Sequence, residues 1–300
     1  MIRFLKKLFL FCLLSFIVFM AADYCLSKIL SRASEANLEI WRDVMEGNAS
    51  ADILLSGDSR VNIDCYPPVI DSITGLRSFS CGVIGHHFTI QRLRYDMYRR
   101  YNEKPTLLVQ FVDSWFYDSM AKYDRHQFFP WMWNVHFLKE ILWLAPAQSS
   151  KMLVPWFRYH GMSVMNLHWS KRKTSRGFLN YSKTWPFSVF PLMGRIFKPK
   201  PRHESLFRSY ISEVTAEGIR MVLVIAPVYG ARDLPEDEYG VARNHFKDIA
   251  EEYRIPFLDY SDTYFSDDRS LFIDAVHLNK RGAKVFSDSL ANDIIELGLI

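Results

Sequence analysis

The stretch 53-ILLSGDSR-60 runs from three apolar residues into a short polar turn that contains Gly57. An apolar run that ends at a glycine is typical of a buried strand followed by a sharp turn. The turn places Ser59 where the next element begins, and its hydroxyl then has two alternative roles. Ser59 is a nucleophile, or Asp58 or Ser59 merely caps a short helix.

The same pattern continues outward along the chain. Apolar or extended runs of strand length lie at 51–59, 76–82, 105–116, 220–228 and 255–261. Segments with helical spacing lie at 87–103, 204–219, 236–253 and 280–297. Strands that alternate with helices predict an α/β fold, a three-layer α/β/α sandwich around a central parallel sheet. In such a sheet the ligand site lies at the carboxyl ends of the strands.

The amino terminus predicts a membrane segment. Leu8 to Ala22 carries no charge and follows Arg3, Lys6 and Lys7. We expect residues 1–30 to form an uncleaved transmembrane anchor, with the basic flank in the cytoplasm and the remainder of the chain outside it. A cleaved signal peptide is the alternative. Residues 31–50 are expected to form a polar stalk, and residues 51–300 a catalytic domain.

An insert of different composition interrupts this domain at about 128–203 and is rich in aromatic residues. Between Lys151 and Arg202 it holds eleven Lys and Arg and no Asp or Glu, which leaves 26 basic against 33 acidic residues elsewhere. Such a segment contacts an anionic membrane surface or an acidic polymer, or it is a purely structural loop region. Nucleic acid fits an exported domain poorly, and we expect no nucleic-acid partner.

A second motif provides a base for the serine. Of the nine histidines only His277 follows an aspartate, Asp274, by three positions. A carboxylate three residues away can accept from one ring nitrogen while the other faces a serine. This pair comes after the last predicted strand and before the last helix, so it belongs at the same edge of the sheet as Ser59.

A GDS serine after the first strand, paired with D-x-x-H before the last helix, resembles the SGNH/GDSL hydrolase family, whose fold is flavodoxin-like. More narrowly, the chain is similar to the membrane-anchored branch of DltD-like and alginate-type polysaccharide O-acetyltransferases. The likeness covers about Ala51 to Phe116 and Glu204 to Ile300 and leaves the insert outside it.

The resemblance implies roles for individual residues. Ser59 would be the nucleophile, His277 the general base and acid, and Asp274 the group that orients the imidazole. The backbone amides of Ser59 and Gly82 would form the oxyanion hole, since 79-FSCG-82 matches the second block of the family. The family chemistry needs no metal and no cofactor, and the sequence shows no metal-ligand spacing.

The third block departs from the family. An asparagine donor is usual there, whereas 111-FVDS-114 supplies Asp113, and an ionised carboxylate donates no hydrogen bond. Asp113 is therefore expected to have a structural or substrate-facing role. Arg60 is expected to assist the oxyanion hole or to bind the substrate. His86 either hydrogen-bonds a sugar or belongs to a polar loop.

The function expected from these motifs is a membrane-anchored, exported serine acyltransferase or esterase that O-acetylates a cell-surface or exported polysaccharide. The resemblance implies a polytopic membrane protein as acyl donor. A carbohydrate or lipid esterase with the same residues stays open, as does a catalytically silent assembly factor that binds a polymer. Cys65 and Cys81 form a disulfide or are two buried thiols.

Overall fold

The computed structural model describes the chain in seven pieces, which are residues 1–117, 125–145, 152–160, 174–185, 197, 199–231 and 236–300. Much of the predicted insert lies outside the described residues. Six of its eleven cations fall there, namely Lys151, Lys171, Arg172, Lys173, Arg195 and Lys198.

Five parallel strands form the central sheet, in the order β2-β1-β3-β6-β7. A short antiparallel pair, β4 and β5, lies outside it. The strands are β1 (Ile53–Ser56), β2 (Ser78–Ser80), β3 (Leu107–Phe111), β4 (Thr174–Ser175), β5 (Phe178–Leu179), β6 (Arg220–Ile225) and β7 (Phe257–Asp259). All five strands of the sheet lie within the apolar or extended runs that were predicted as strands.

Nine α-helices are present in the described residues. They are α1 (Ile2–Leu30), α2 (Ala36–Met45), α3 (Ser59–Asp64), α4 (Pro67–Thr74), α5 (Phe88–Tyr101), α6 (Val135–Leu144), α7 (Pro201–Ala216), α8 (Glu236–Tyr253) and α9 (Lys280–Glu296). The four helices expected from helical spacing correspond to α5, α7, α8 and α9.

Helices cover both faces of the sheet, which confirms the three-layer sandwich. Leu108 of β3 belongs to a core shared with α2, α5, α6, α7 and α8. Its neighbours Leu107 and Val109 belong to a second core shared with α3, α4 and α9. Since successive side chains of a strand point to opposite faces, the apolar runs seen in the sequence supply both cores.

The segment expected to be a stalk has a different structure. Residues 31–50 contain α2, in which Ile40, Trp41 and Val44 are completely buried in the core. Their spacing of three and four places these side chains on one face of the helix. Because polar residues separate these side chains in the sequence, the apolar face of α2 was not predicted. The chain therefore enters the folded domain directly after α1.

α1 is the one helix among the described residues that is long and apolar enough to cross a membrane. Nearly all its side chains are exposed as far as Ala22, and Asp23, Ser27 and Leu30 near its end are buried against the folded domain. A signal sequence near the amino terminus meets the same criteria of length and hydropathy.

The structure contains Cys65 and Cys81 as free, buried thiols rather than as a disulfide. Burial raises the pKa of Cys81 to about 12 and raises that of Cys65 well above its usual value. Neither thiol has the exposed, electropositive surroundings of a reactive cysteine.

Candidate active site

Ser59 is the first residue of α3, directly after β1 and its turn. Asp58 supplies the helix cap, because its carboxylate accepts from the Arg60 N–H at 3.0 Å. The Ser59 hydroxyl is therefore not needed as a cap. Instead Ser59 Oγ lies 2.8 Å from His277 Nε2. Of the two roles open in the sequence, capping belongs to the aspartate, and the serine faces the histidine.

Glycine at position 57 allows this turn to pack tightly. A Cβ there would approach Val61 Cγ2 to 2.7 Å and Phe111 Cβ to 2.8 Å. Both neighbours are buried, so neither can move away cheaply. The turn that carries Ser59 is thus tightly packed against α3 and the end of β3.

Asp274 and His277 form a compact loop before α9. His277 Nδ1 lies 2.9 Å from Asp274 Oδ2 and 3.0 Å from Oδ1. Asp274 Oδ1 also accepts the N–H groups of Val276 and His277, at 2.9 and 2.8 Å. Because a carboxylate accepts, Nδ1 carries the ring proton in the neutral form. Nε2 is then free to accept from Ser59 Oγ.

The pKa of His277 is raised above its ordinary value of 6.5. Burial by itself lowers it, but the hydrogen bond and negative charge of Asp274 outweigh burial, helped by the charges of Asp64 and Asp58. Burial tends to raise the pKa of Asp274, while its hydrogen bonds and the charge of His277 prevail and lower it. The site therefore stabilises an imidazolium–carboxylate pair.

Asp64 also belongs to this site, although it was not predicted as a site residue. This completely buried carboxylate accepts the N–H of Leu278, the residue after His277, at 2.8 Å. Burial raises the pKa of Asp64 to about 7, although Arg60, His277 and the Leu278 N–H act in the opposite direction. The carboxylate thus links α3 to the histidine loop.

The guanidinium of Arg60 contacts groups of the protein itself, and its predicted roles in the oxyanion hole and in substrate binding stay predictions. Arg60 lines the cavity beside Ser59, but its guanidinium donates to the Pro227 carbonyl and lies 3.6 Å from Asp64. Only 2% of the residue is exposed. The guanidinium therefore connects α3 to the segment after β6. A helical spacing of four brings Arg60 and Asp64 together, and this is the one clue to Asp64 in the sequence.

Gly82 lies directly against the turn of the nucleophile. A Cβ there would approach the Asp58 carbonyl oxygen to 2.3 Å and Asn62 Oδ1 to 2.4 Å. The next N–H, that of Val83, donates to the Gly57 carbonyl at 2.8 Å. The Gly82 N–H itself has no acceptor among the described residues, and Gly82 does not line the cavity. Its role in an oxyanion hole stays a prediction.

Asp113 follows β3 and lies almost completely buried beside Asp58. Its Oδ1 accepts the Trp115 N–H at 2.8 Å, and its side chain is hydrogen-bonded to Asp58. Burial, followed by the charge of Asp58, raises the pKa of Asp113 well above its usual range, against the effect of Arg60. A hydrogen bond thus joins the carboxyl groups of Asp113 and Asp58 where α3 begins.

A cavity of about 140 Å³ opens beside the Ser59–His277 pair. Polar and apolar residues both line this cavity. They are Asp58, Ser59, Arg60, Gly85, His86, Gln91, Asp113, Trp115, Phe116, Val276 and His277. The cavity thus joins the predicted nucleophile and base to Asp113 and His86, which were predicted as substrate-binding residues. Contact with a substrate stays a prediction for both.

His86 is hydrogen-bonded to a buried network of polar side chains. Its Nε2 lies 2.8 Å from Gln127 Nε2, and Gln127 Oε1 accepts from Trp41 Nε1 at 2.9 Å and from Arg94 at 3.3 Å. Arg94 is completely buried, with its guanidinium 4.4 Å from the Trp41 ring centroid. His86 therefore lies in a polar loop before α5, as one of the two expectations had it, and within that loop it is buried and hydrogen-bonded to Gln127.

Among the described residues no group of three or more His, Cys, Asp or Glu side chains is placed to hold a metal ion.

No family model matches the chain, and no curated protein matches it either. Similar solved structures include a protein from Desulfitobacterium hafniense described as lipolytic and of the G-D-S-L family (13% identity, 80% of this chain and 97% of that one, TM-score 0.44). A second is the acetyl xylan esterase AlAXEase (12% identity, 82% of this chain and 98% of that one, TM-score 0.44). A third is AlinE4, an SGNH-hydrolase family esterase (13% identity, 83% of this chain and 96% of that one, TM-score 0.38).

Proposed function

We propose that this protein is a membrane-tethered serine enzyme that cleaves an ester through an acyl-Ser59 intermediate. One observation carries the proposal. A continuous line of hydrogen bonds runs from Asp274 through His277 to Ser59 Oγ, beside a cavity that can admit a substrate. A nucleophile, a base and a group that orients the base are the three parts that covalent acyl transfer requires.

In the first half of the reaction, Ser59 Oγ attacks the ester carbonyl carbon while His277 Nε2 takes the hydroxyl proton. The carbonyl oxygen becomes an oxyanion, for which the N–H groups of Ser59 and Gly82 are the proposed donors. His277 then returns the proton to the leaving alcohol oxygen as the carbon–oxygen bond breaks. Asp274 stabilises the imidazolium throughout.

In the second half, a hydroxyl group attacks the acyl carbon and His277 takes its proton. Ser59 Oγ leaves and recovers the proton from His277. Water as acceptor makes the protein an esterase, and a sugar hydroxyl makes it an acyltransferase. We propose that the acceptor is a hydroxyl of an exported or cell-surface polysaccharide, which agrees with a tethered catalytic domain outside the cytoplasm.

The cavity favours a small acyl group. Its volume of about 140 Å³ is below the roughly 300 Å³ at which pockets for drug-sized ligands begin. Trp115, Phe116 and Val276 supply apolar surface suited to the methyl group of an acetyl. A long fatty acyl chain needs more space than this, so the size of the cavity speaks against a lipid esterase.

The proposal is tested with the full chain in detergent micelles and p-nitrophenyl esters of increasing acyl length. We expect turnover of the acetyl ester, a steep fall by the octanoyl ester, and acetylated product when a soluble oligosaccharide is added. Ser59→Ala should be inactive. Ser72→Ala is the matched control, because Ser72 is exposed on α4 and its hydroxyl donates to the Val69 carbonyl of the same helix.

Each result decides between the functions considered. Acetyl release that no sugar diverts identifies an esterase, and preference for the octanoyl ester would contradict the small acyl group. If the wild type and Ser59→Ala are equally inactive on every ester, while both bind an acidic polymer, the chain is a polymer-binding assembly factor and the enzymatic proposal is wrong.

A further inference from the structure

The end of α1 does not stand free of the folded domain. Asp23 is completely buried, and its carboxylate accepts from Trp133 Nε1 and from the Trp156 N–H, both at 2.8 Å. The guanidinium of Arg158 lies 3.4 Å from the same carboxylate. Three groups from the region between β3 and α7 therefore converge on one acidic residue of α1.

The contacts extend along two turns of this helix. Trp156 Nε1 donates to the Phe19 carbonyl at 3.0 Å, and the two rings are 5.5 Å apart. Tyr159 OH lies 2.6 Å from Ser27 Oγ. Since Phe19 and Ser27 are eight positions apart, they are separated by roughly 12 Å along the axis. The carboxyl-terminal end of α1 is thus fixed to the domain, so the helix cannot rotate freely relative to it.

Around these contacts lie large apolar side chains that the protein itself leaves uncovered. Five of them form what we call the collar: Trp133 (39% exposed), Leu153 (43%), Val154 (52%), Trp156 (39%) and Phe157 (54%). Isolated exposed apolar residues are ordinary, but a group of them in two short segments marks a contact surface. Trp133 and Trp156 touch α1 directly, so the collar begins where the apolar part of the helix ends.

We propose that the collar lies in the outer interfacial layer of the membrane that α1 spans. The inference rests on the proposed tether and adds a second membrane contact to it. Leu8 to Ala22, the uncharged part of α1, would span roughly 22 Å as a helix, and the flexible side chains of Lys6 and Lys7 can cover the rest of the roughly 30 Å hydrocarbon core. Asp23 follows at the outer boundary of this core. Tryptophan is the residue enriched at that boundary. The partner is therefore the bilayer, and the collar holds the domain at a fixed height upon it.

The collar is connected to the active site by a short path. Trp133 follows the 3-10 helix Arg125–Trp131, which packs on α1 and contains Gln127. Gln127 bonds to His86 in the wall of the cavity. A domain held against the bilayer at the collar would therefore keep the cavity near a membrane-bound source of acyl groups.

The test uses the full chain in lipid nanodiscs of phosphatidylcholine and phosphatidylglycerol, with single nitroxide labels. Cys12 and Cys25 are exposed and are replaced by serine, whereas Cys65 and Cys81 are buried and stay. Labels are placed at Val154→Cys and Phe157→Cys in the collar. Tyr264→Cys and Val241→Cys are exposed controls outside the collar. A separate variant, in which Cys12 is kept and Cys25 is replaced by serine, carries a label on α1.

We expect the two collar labels to be reached by oxygen and protected from a water-soluble nickel chelate, at a depth between Cys12 and the controls. Equal nickel accessibility at the collar and at Tyr264→Cys would overturn the proposal. Protection from both oxygen and nickel would also overturn it, since it would mean that protein covers the collar.

The experiment distinguishes a failure of the collar proposal from a failure of the proposed membrane tether or of the proposed ester chemistry. A Cys12 label exposed to nickel would show that α1 itself is outside the bilayer, so the tether and the collar would be wrong together. Acetyl-ester turnover is measured on the same labelled samples. Turnover with an exposed collar would leave the proposed chemistry standing without the membrane contact.

Discussion

The two sides of the proposed reaction centre are held in place by different forces. Ser59 stands on a turn at the end of a buried strand, and that turn is fixed by packing against Val61 and Phe111. His277 stands on a loop whose shape depends on hydrogen bonds accepted by Asp274 and Asp64. The nucleophile side is therefore sensitive to added volume, whereas the base side is sensitive to the loss of a carboxylate.

This difference follows from where each side lies. The serine turn is continuous with the core of the sheet, in which close packing positions groups at no electrostatic cost. The histidine loop is half exposed, and there backbone N–H groups need acceptors to define one conformation. The carboxylates that serve as acceptors also set the pKa of His277. On that side structure and chemistry depend on the same groups.

The largest expected effect comes from removing the nucleophile. Ser59→Ala should lower kcat/KM by about a thousand-fold or more, since the covalent intermediate cannot form. Its Tm should change by no more than about two degrees, because the packing of the turn depends on Gly57 and Asp58. Ester turnover and thermal unfolding measured on one preparation check this. A large drop in Tm would mean that Ser59 is a structural residue of the turn.

The second effect tests the hydrogen-bonded side. Asp274→Asn should lower kcat by about a hundred-fold to ten-thousand-fold, because the amide neither fixes the tautomer nor stabilises the imidazolium. The acid limb of the pH profile should move to lower pH, since Asp274 is the main group that raises the pKa of His277. Rates measured between pH 5 and 9 check both. An unchanged rate would remove Asp274 from the reaction.

The third effect tests the packed side. Gly57→Ala should reduce the free energy of unfolding by about 1–3 kcal/mol, the usual cost of overpacking, because the new Cβ meets Val61 and Phe111 below 3 Å. Gly75→Ala provides the control, since its Cβ would meet nothing within 4 Å although its positive φ adds strain of its own. Urea unfolding measures both. A loss at Gly57 well below about 1 kcal/mol would show that the turn is loosely packed.

The smallest effect separates charge from hydrogen bonding at Asp64. Asp64→Asn keeps an oxygen to accept the Leu278 N–H but removes the negative charge that Asp64 carries above its pKa of about 7, which acts on His277. The pKa of His277 should fall, so the protonated and inactive form should appear only at lower pH. Activity at neutral pH should change little. An acid limb that stays in place while the protein loses stability would assign Asp64 a structural role only.

The sequence was sufficient to predict the sheet because β1, β3 and β6 are almost completely buried and appear as apolar runs, between which the shorter β2 and β7 alternate with helices. It was also sufficient to bring Ser59 and the Asp274–His277 pair together, because both follow strands of one parallel sheet. These predictions depend only on local pattern and on the topology that the pattern implies.

The remaining features depend on which polar groups become buried together. Asp113 beside Asp58, and Asp64 beside Leu278, are contacts between distant segments that leave no periodic pattern. The same holds for Arg60, whose partners are a buried carboxylate and the Pro227 carbonyl. The contacts of α1 with Trp133 and Trp156 were hidden because they join the amino terminus to a region with no regular spacing.

The most direct test of the central claim is covalent trapping with a fluorophosphonate, which loses fluoride as a serine oxygen attacks phosphorus. Intact mass spectrometry and peptide mapping are carried out on the wild type, Ser59→Ala, Asp274→Asn and Ser72→Ala. The account predicts one adduct on Ser59 in the wild type and in Ser72→Ala, slow labelling of Asp274→Asn, and none of Ser59→Ala. An adduct on Ser59→Ala, or equal rates for the wild type and Asp274→Asn, would contradict it.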